Sequence, residues 1–128
     1  NWFMDLMTFN EAIASKAWRS ARTDAHMMGG ITQTQKAIAL TEAAGINCEL
    51  MSWGYSLNSA ANLHLMLAQD NCSFYEHSVP QKPYEFGMHD VIRSDGNGYV
   101  HAPVKPGLGL DVDWDAMQSA TFHEFVIE

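Results

Sequence analysis

The chain has 128 residues, 47% of them hydrophobic and 17% charged, enough for one domain with a real core. Its formal net charge of -8 argues against nucleic acid as a partner, because basic patches carry that affinity. There is no run of about 18 apolar residues, so no membrane-spanning helix is expected.

The opening residues Asn1-Trp2-Phe3-Met4-Asp5 carry no basic leader ahead of an apolar stretch, so no signal peptide is read there. The abrupt start fits an internal cut of a longer chain. Thr8-Phe9-Asn10-Glu11 reads as a capping box, opening a short helix that runs to about Trp18. Ala21-Arg22-Thr23-Asp24 reads as a short strand, and Gly29-Gly30 punctuates the chain after it. Thr32 is the expected N-cap of a second helix, over residues 33–44, with Gln35 as its capping-box partner. Ala37, Leu40, Thr41 and Ala44 form its small apolar stripe, and Gly45 stops it.

Residues 46–51 read as the next strand and Trp53-Gly54-Tyr55-Ser56 as a loop. A third helix is predicted over 57–68, with Ala60, Ala61, Leu63, Leu65, Leu67 and Ala68 giving a broad apolar face. Ser73-Phe74-Tyr75-Glu76 reads as a third strand. Strand–helix alternation with short loops points to parallel βαβ units. Cys48 and Cys72 fall in short apolar runs that read as neighbouring core strands. Buried free thiols are favoured over a disulfide, their spacing matches no zinc pattern, and a cytoplasmic setting is the default.

The pattern changes after Pro80, where Pro83, Pro103 and Pro106 also interrupt the chain. Val91-Ile92-Arg93 and Tyr99-Val100-His101 flank Ser94-Asp95-Gly96-Asn97-Gly98, a hairpin signal. Residues 111–114 read as one more extended piece, and Asp115 as the cap of a last helical turn. Residues 1–80 therefore form one region and residues 81–128 a hairpin and tail. Two or three parallel strands cannot close a barrel, and they leave an open edge.

Several stretches carry a family likeness in order. Arg22-Thr23-Asp24-Ala25-His26-Met27-Met28-Gly29-Gly30-Ile31-Thr32 ends a strand in Asp and opens a helix with Gly-Gly-Ile-Thr. Ala43-Ala44-Gly45-Ile46 leads into the next strand, Phe74-Tyr75-Glu76 ends a strand in an acid, and Pro106-Gly107-Leu108-Gly109-Leu110-Asp111 lies near the end of the chain. From about Leu6 to Trp114 the chain resembles the mandelate racemase-like branch of the enolase superfamily, from the end of unit five through strand eight of its barrel. The resemblance implies an α/β fold: the C-terminal portion of a (β/α) TIM-type barrel with an antiparallel C-terminal tail that returns to a capping domain. It also implies proton abstraction next to a carboxylate, with the enediolate stabilised by a magnesium ion on carboxylates at the ends of strands three, four and five.

Asp24 matches the family's strand-six Asp, which hydrogen-bonds a strand-seven His; the plain alternative is a cap for the segment after it. Glu76 matches the strand-eight acid that binds the substrate carboxylate; the alternative is a solvent-facing Glu beside His77. His26, in the loop on the active face, is either a ligand contact or an ordinary loop histidine. Met51 stands where the resemblance places the strand-seven His, and Met cannot transfer a proton. Glu49 alternates with Met51 toward the same side, as a substrate contact or as a partner for Arg22 or Lys36. Trp53 is either a pocket wall or a packing anchor. Strands three and four lie outside the chain, and Asp5 is a weak substitute for the strand-five ligand, so no bound magnesium is expected for this chain alone. Three readings remain: the C-terminal segment of a sugar-acid dehydratase or racemase, inactive alone; a non-catalytic half-barrel; or an unrelated compact module. The expected partners are a sugar-acid carboxylate and either a second copy or a complementary barrel segment, with no nucleic acid and no membrane.

Overall fold

The computed structural model describes residues 4–51 and 55–127. Helix α1, Leu6–Ala14, starts at Asp5, whose carboxylate accepts hydrogen bonds from the Thr8 N–H at 2.8 Å and the Thr8 hydroxyl at 2.9 Å. The N-cap therefore lies three residues before the predicted one, because an acid at that spacing satisfies a free amide of the first turn. The helix also ends sooner than expected: the Ser15 N–H closes on Glu11, and Lys16 turns the chain with φ 54°. Phe9 and Ala12 form the buried face, and Trp18 tilts against Phe9 with ring centroids 5.2 Å apart.

Strand β1, Ser20–Thr23, pairs in parallel with β2, Asn47–Leu50, in the register Ser20↔Asn47 through Thr23↔Leu50. Side chains alternate across the sheet as the pleat requires. Ala21, Thr23, Cys48 and Leu50 are buried, while Ser20, Arg22 and Asn47 stay exposed and Glu49 is half-buried. Helix α2, Ile31–Ala43, crosses from β1 to β2 and packs on both, with α1 and α3 (Ser56–Leu67) against its flanks. Its N-cap is Gly30 rather than Thr32: at φ 123° the backbone makes a turn that L side chains rarely adopt, and the Thr34 hydroxyl bonds back to the Gly30 carbonyl. The core is the set Phe9, Ala21, Ala37, Ile38, Cys48, Leu50 and Leu65, with Met28 and Met66 filling around it. Parallel pairing of the first two strands thus matches the sequence reading.

The third predicted strand departs from it. Residues 73–76 form no ladder in the described structure. The consecutive Ser73 and Phe74 N–H groups converge on the Glu49 carboxylate, at 3.1 and 3.0 Å. A strand would point them in alternate directions. One backbone bond, from the Cys48 N–H to the Asn71 carbonyl at 2.8 Å, joins β2 to the residues just before this segment. The sheet described is therefore an open pair of strands, not a closed barrel.

The tail is likewise less regular than predicted. The hairpin reduces to a single antiparallel bridge, Ser94↔Val100, because the Asp95 side chain takes the Asn97 and Tyr99 amides. A second bridge, Met88↔Val112, ties residue 112 back. The last helix, α4, spans Trp114–Ala120 and is capped by Asp113 rather than Asp115, through the Ala116 N–H at 2.9 Å. Both cysteines are free. Burial, with smaller contributions from nearby groups, pushes the Cys48 thiol up to about 12 and that of Cys72 to about 11, so both are protonated at neutral pH. No helix among the described residues is long and apolar enough to cross a membrane.

Candidate active site

The C-terminal ends of β1 and β2 meet helix α3 at a buried polar junction. Asp24, which follows β1, is 3% exposed. Its Oδ1 accepts the Met27 N–H at 3.0 Å. Its Oδ2 accepts the side-chain amide of Asn58 at 2.9 Å and, more weakly, that of Asn62 at 3.4 Å. Asn58 and Asn62 lie four apart on α3, so one helix face presents both. Asn62 is fully buried: its Oδ1 accepts the Ala25 N–H at 2.9 Å, and its Nδ2 donates to the Met51 carbonyl at 2.6 Å. One side chain thus ties the ends of two strands to a helix.

The open face of the sheet carries a second cluster. Arg22 stands opposite Glu49 in the strand register and makes an ion pair with Glu76. Asn47 donates to Ser73 Oγ at 3.2 Å and to Glu49 Oε1 at 3.4 Å. Arg22 is half-exposed, so solvent screens the pair and its contribution to stability is small.

Of the residues singled out from sequence, Glu49 and Glu76 therefore share the charged open face with Arg22, which pairs with Glu76 and stands opposite Glu49 in the register. Glu76 is not simply solvent-facing, and Glu49 spends its carboxylate on backbone amides. Asp24 is committed to α3. Met51 is buried, and what it offers the junction is its backbone carbonyl. His26 is exposed in the turn after Asp24. Trp53 lies outside the described residues.

Asn58 and Asn62 were not anticipated. The available signal was a pair of amides, four apart, in a helix otherwise rich in Leu and Ala, where a polar side chain on the buried face demands partners.

Beside the start of α3, a cavity of about 30 Å³ is bordered by Ser56, Tyr75, His77, Tyr84, Glu85 and Arg93. The Nε2 of His77 is buried with no hydrogen-bond partner among the described residues, and the ring stands edge-on to Tyr75 at 5.0 Å. Burial, and secondarily Arg93, lower the imidazole pKa from 6.5. The folded state therefore binds this proton less readily than the unfolded chain. Stability from this site is full above about pH 6.5 and declines as pH falls through the lowered value. Urea midpoints taken across that window should fall toward acid in the native chain and fall less in His77→Gln. Parallel pH profiles for the two proteins would refute the assignment.

The magnesium that the sequence resemblance implies does not fit the residues at hand. Asp5 is engaged as a helix cap, and hydrogen bonds from the Thr8 backbone and side chain lower its pKa. Among the described residues, no group of three or more His, Cys, Asp or Glu side chains is placed to hold a metal ion.

Comparison with known proteins places these features in context. The sequence profile described as "Enolase C-terminal domain-like" matches residues 3–116. A D-galactonate dehydratase family member from Enterococcus gallinarum is 28% identical over 76% of this chain and 25% of its own length. Another, from Paenibacillus sp., is 36% identical over 66% of this chain and 21% of its own length. A solved mandelate racemase/muconate lactonizing enzyme-type structure from Pseudovibrio sp. superposes with a TM-score of 0.90 at 42% identity, covering 94% of this chain and 32% of that one. D-glucarate dehydratase from Agrobacterium tumefaciens, solved with magnesium, superposes at 0.76 with 30% identity, over 88% of this chain and 30% of that one. The chain spans about a quarter of the length of the curated relatives it matches.

Proposed function

The chain belongs to the enolase superfamily, in its mandelate racemase/muconate lactonizing enzyme-like branch, and from that premise we propose that it is the C-terminal segment of a sugar-acid dehydratase. The whole protein removes a proton next to a carboxylate; departure of the neighbouring hydroxyl as water and tautomerisation leave a 2-keto-3-deoxy acid. The choice of sugar acids over other carboxylates rests on the dehydratases among the relatives. The observation that carries the site assignment is Asp24: a buried carboxylate at the C-terminal end of a strand, where barrels of this kind place their chemistry. Glu76, through the Arg22 guanidinium it pairs with, serves as the contact for the substrate carboxylate, and Glu49, His26 and Trp53 are the further candidate substrate-binding residues.

The metal belongs to carboxylates supplied by the rest of the protein. The isolated chain is therefore inactive, and the exposed Phe74 and open sheet edge are where a second copy or a complementary barrel segment docks. The test is turnover of a panel of sugar acids with magnesium, by the whole protein and by this chain, following keto-acid formation. Keto acid should form with the whole protein only. Tight magnesium binding with turnover by the isolated chain, or a whole protein inert toward every sugar acid, would overturn the proposal.

A further inference from the structure

We infer that Asn58 and Asn62 are positioning residues for Asp24 and take the place that a strand-end histidine holds in the family. The orienting groups come from helix α3 instead of from the second strand. Residue 51 is a methionine, whose thioether offers a carboxylate no N–H or O–H donor. The Asp24 carboxylate instead receives three donors: the Met27 N–H on one oxygen and the two asparagine amides on the other. The same Asn62 side chain holds the Ala25 amide and the Met51 carbonyl, so the carboxylate and the two strand ends are set by one rigid group. An amide donates a hydrogen bond but does not relay a proton. Asp24 is therefore a fixed carboxylate whose direction depends on α3, and a proton it takes or gives is not shared with a side chain at position 51.

The two asparagines separate the roles. The described bonds of the Asn58 side chain reach Asp24 alone, and Asn58 is half-buried in the first turn of α3, so Asn58→Ala should leave the fold intact. Removing it frees the carboxylate to rotate, and the Met27 amide loses its acceptor. In the isolated chain, hydrogen exchange at Met27 should quicken about tenfold, with the amides of Leu65 and Met66 in α3 unchanged. In the whole protein, and resting on the dehydratase reading above, Asn58→Ala should lower kcat about tenfold with KM within about twofold. In an Asp24→Asn background the same substitution should have no further effect on kcat, which a merely structural role would not produce.

Unchanged exchange at Met27, or an equal loss of kcat with and without Asp24, would overturn the inference. A whole protein without sugar-acid activity would sink the dehydratase reading, while the exchange measurement would still decide this one.

Discussion

Asn62→Leu is expected to remove most of the chain's stability at room temperature. Leucine is close to asparagine in size and well suited to the surrounding apolar face, so lost packing is not the cause. What disappears is a set of hydrogen bonds made by a fully buried side chain. The Ala25 N–H and the Met51 carbonyl are left without that partner in a site closed to water, and the Asp24 carboxylate loses one of its three donors. A stranded buried donor or acceptor costs about 1–3 kcal/mol, and a charged one more. Summed over the junction, the loss is on the order of 4 kcal/mol, comparable with the lower end of the roughly 5–15 kcal/mol that stabilises an ordinary domain. Urea denaturation followed by circular dichroism measures it directly. A loss below about 1 kcal/mol would mean that the junction is not closed in solution.

Asp24→Asn is expected to have the largest effect on activity. In the whole protein kcat should fall on the order of a hundredfold, with KM changed far less, because the residue acts in proton transfer more than in holding substrate. The junction makes the exchange worse than a loss of charge. Three donors converge on the two oxygens of Asp24, whereas an asparagine has one oxygen and an NH2 group. Whichever way the new amide is turned, its NH2 faces a donor. Steady-state kinetics, with folding checked by circular dichroism, separate the two consequences. A folded variant with kcat intact, or with only KM raised, would remove Asp24 from the chemistry.

Much of the architecture was legible because it rests on periodicity. The alternation around Ala21 and Thr23, and around Cys48 and Leu50, together with the helical stripe at Ala37 and Thr41, requires two strands joined by a helix packed on one face. Where the structure differs, a single side chain decided the outcome. Asp5 took the Thr8 amide, which the expected capping box would have left to the Glu11 side chain, and Gly30 displaced Thr32 through backbone geometry. Glu49 took the two amides that a third strand would have offered to a neighbour. Such contests between a carboxylate and a ladder turn on a few tenths of an ångström, and strand propensity does not register them. The same holds at the site. Asp24 stood out because an acid at a strand end is chemically conspicuous. Its partners did not, because Asn58 and Asn62 gain their meaning only when α3 is rotated against the strand ends.

The Asn62 junction also decides where α3 comes to rest. The buried face of that helix is built from Ala60, Ala61, Leu63, Leu65 and Met66, an apolar surface with little to tell one turn from the next. On such a surface a helix can slide by one turn, about 5.4 Å, and still cover much the same area. The amide does not tolerate the slip: its oxygen must meet the Ala25 N–H while its nitrogen meets the Met51 carbonyl, and only one axial position and one rotation satisfy both. Hydrophobic contact supplies the adhesion and the asparagine supplies the address, so that the helix has a unique seat among many of nearly equal grease.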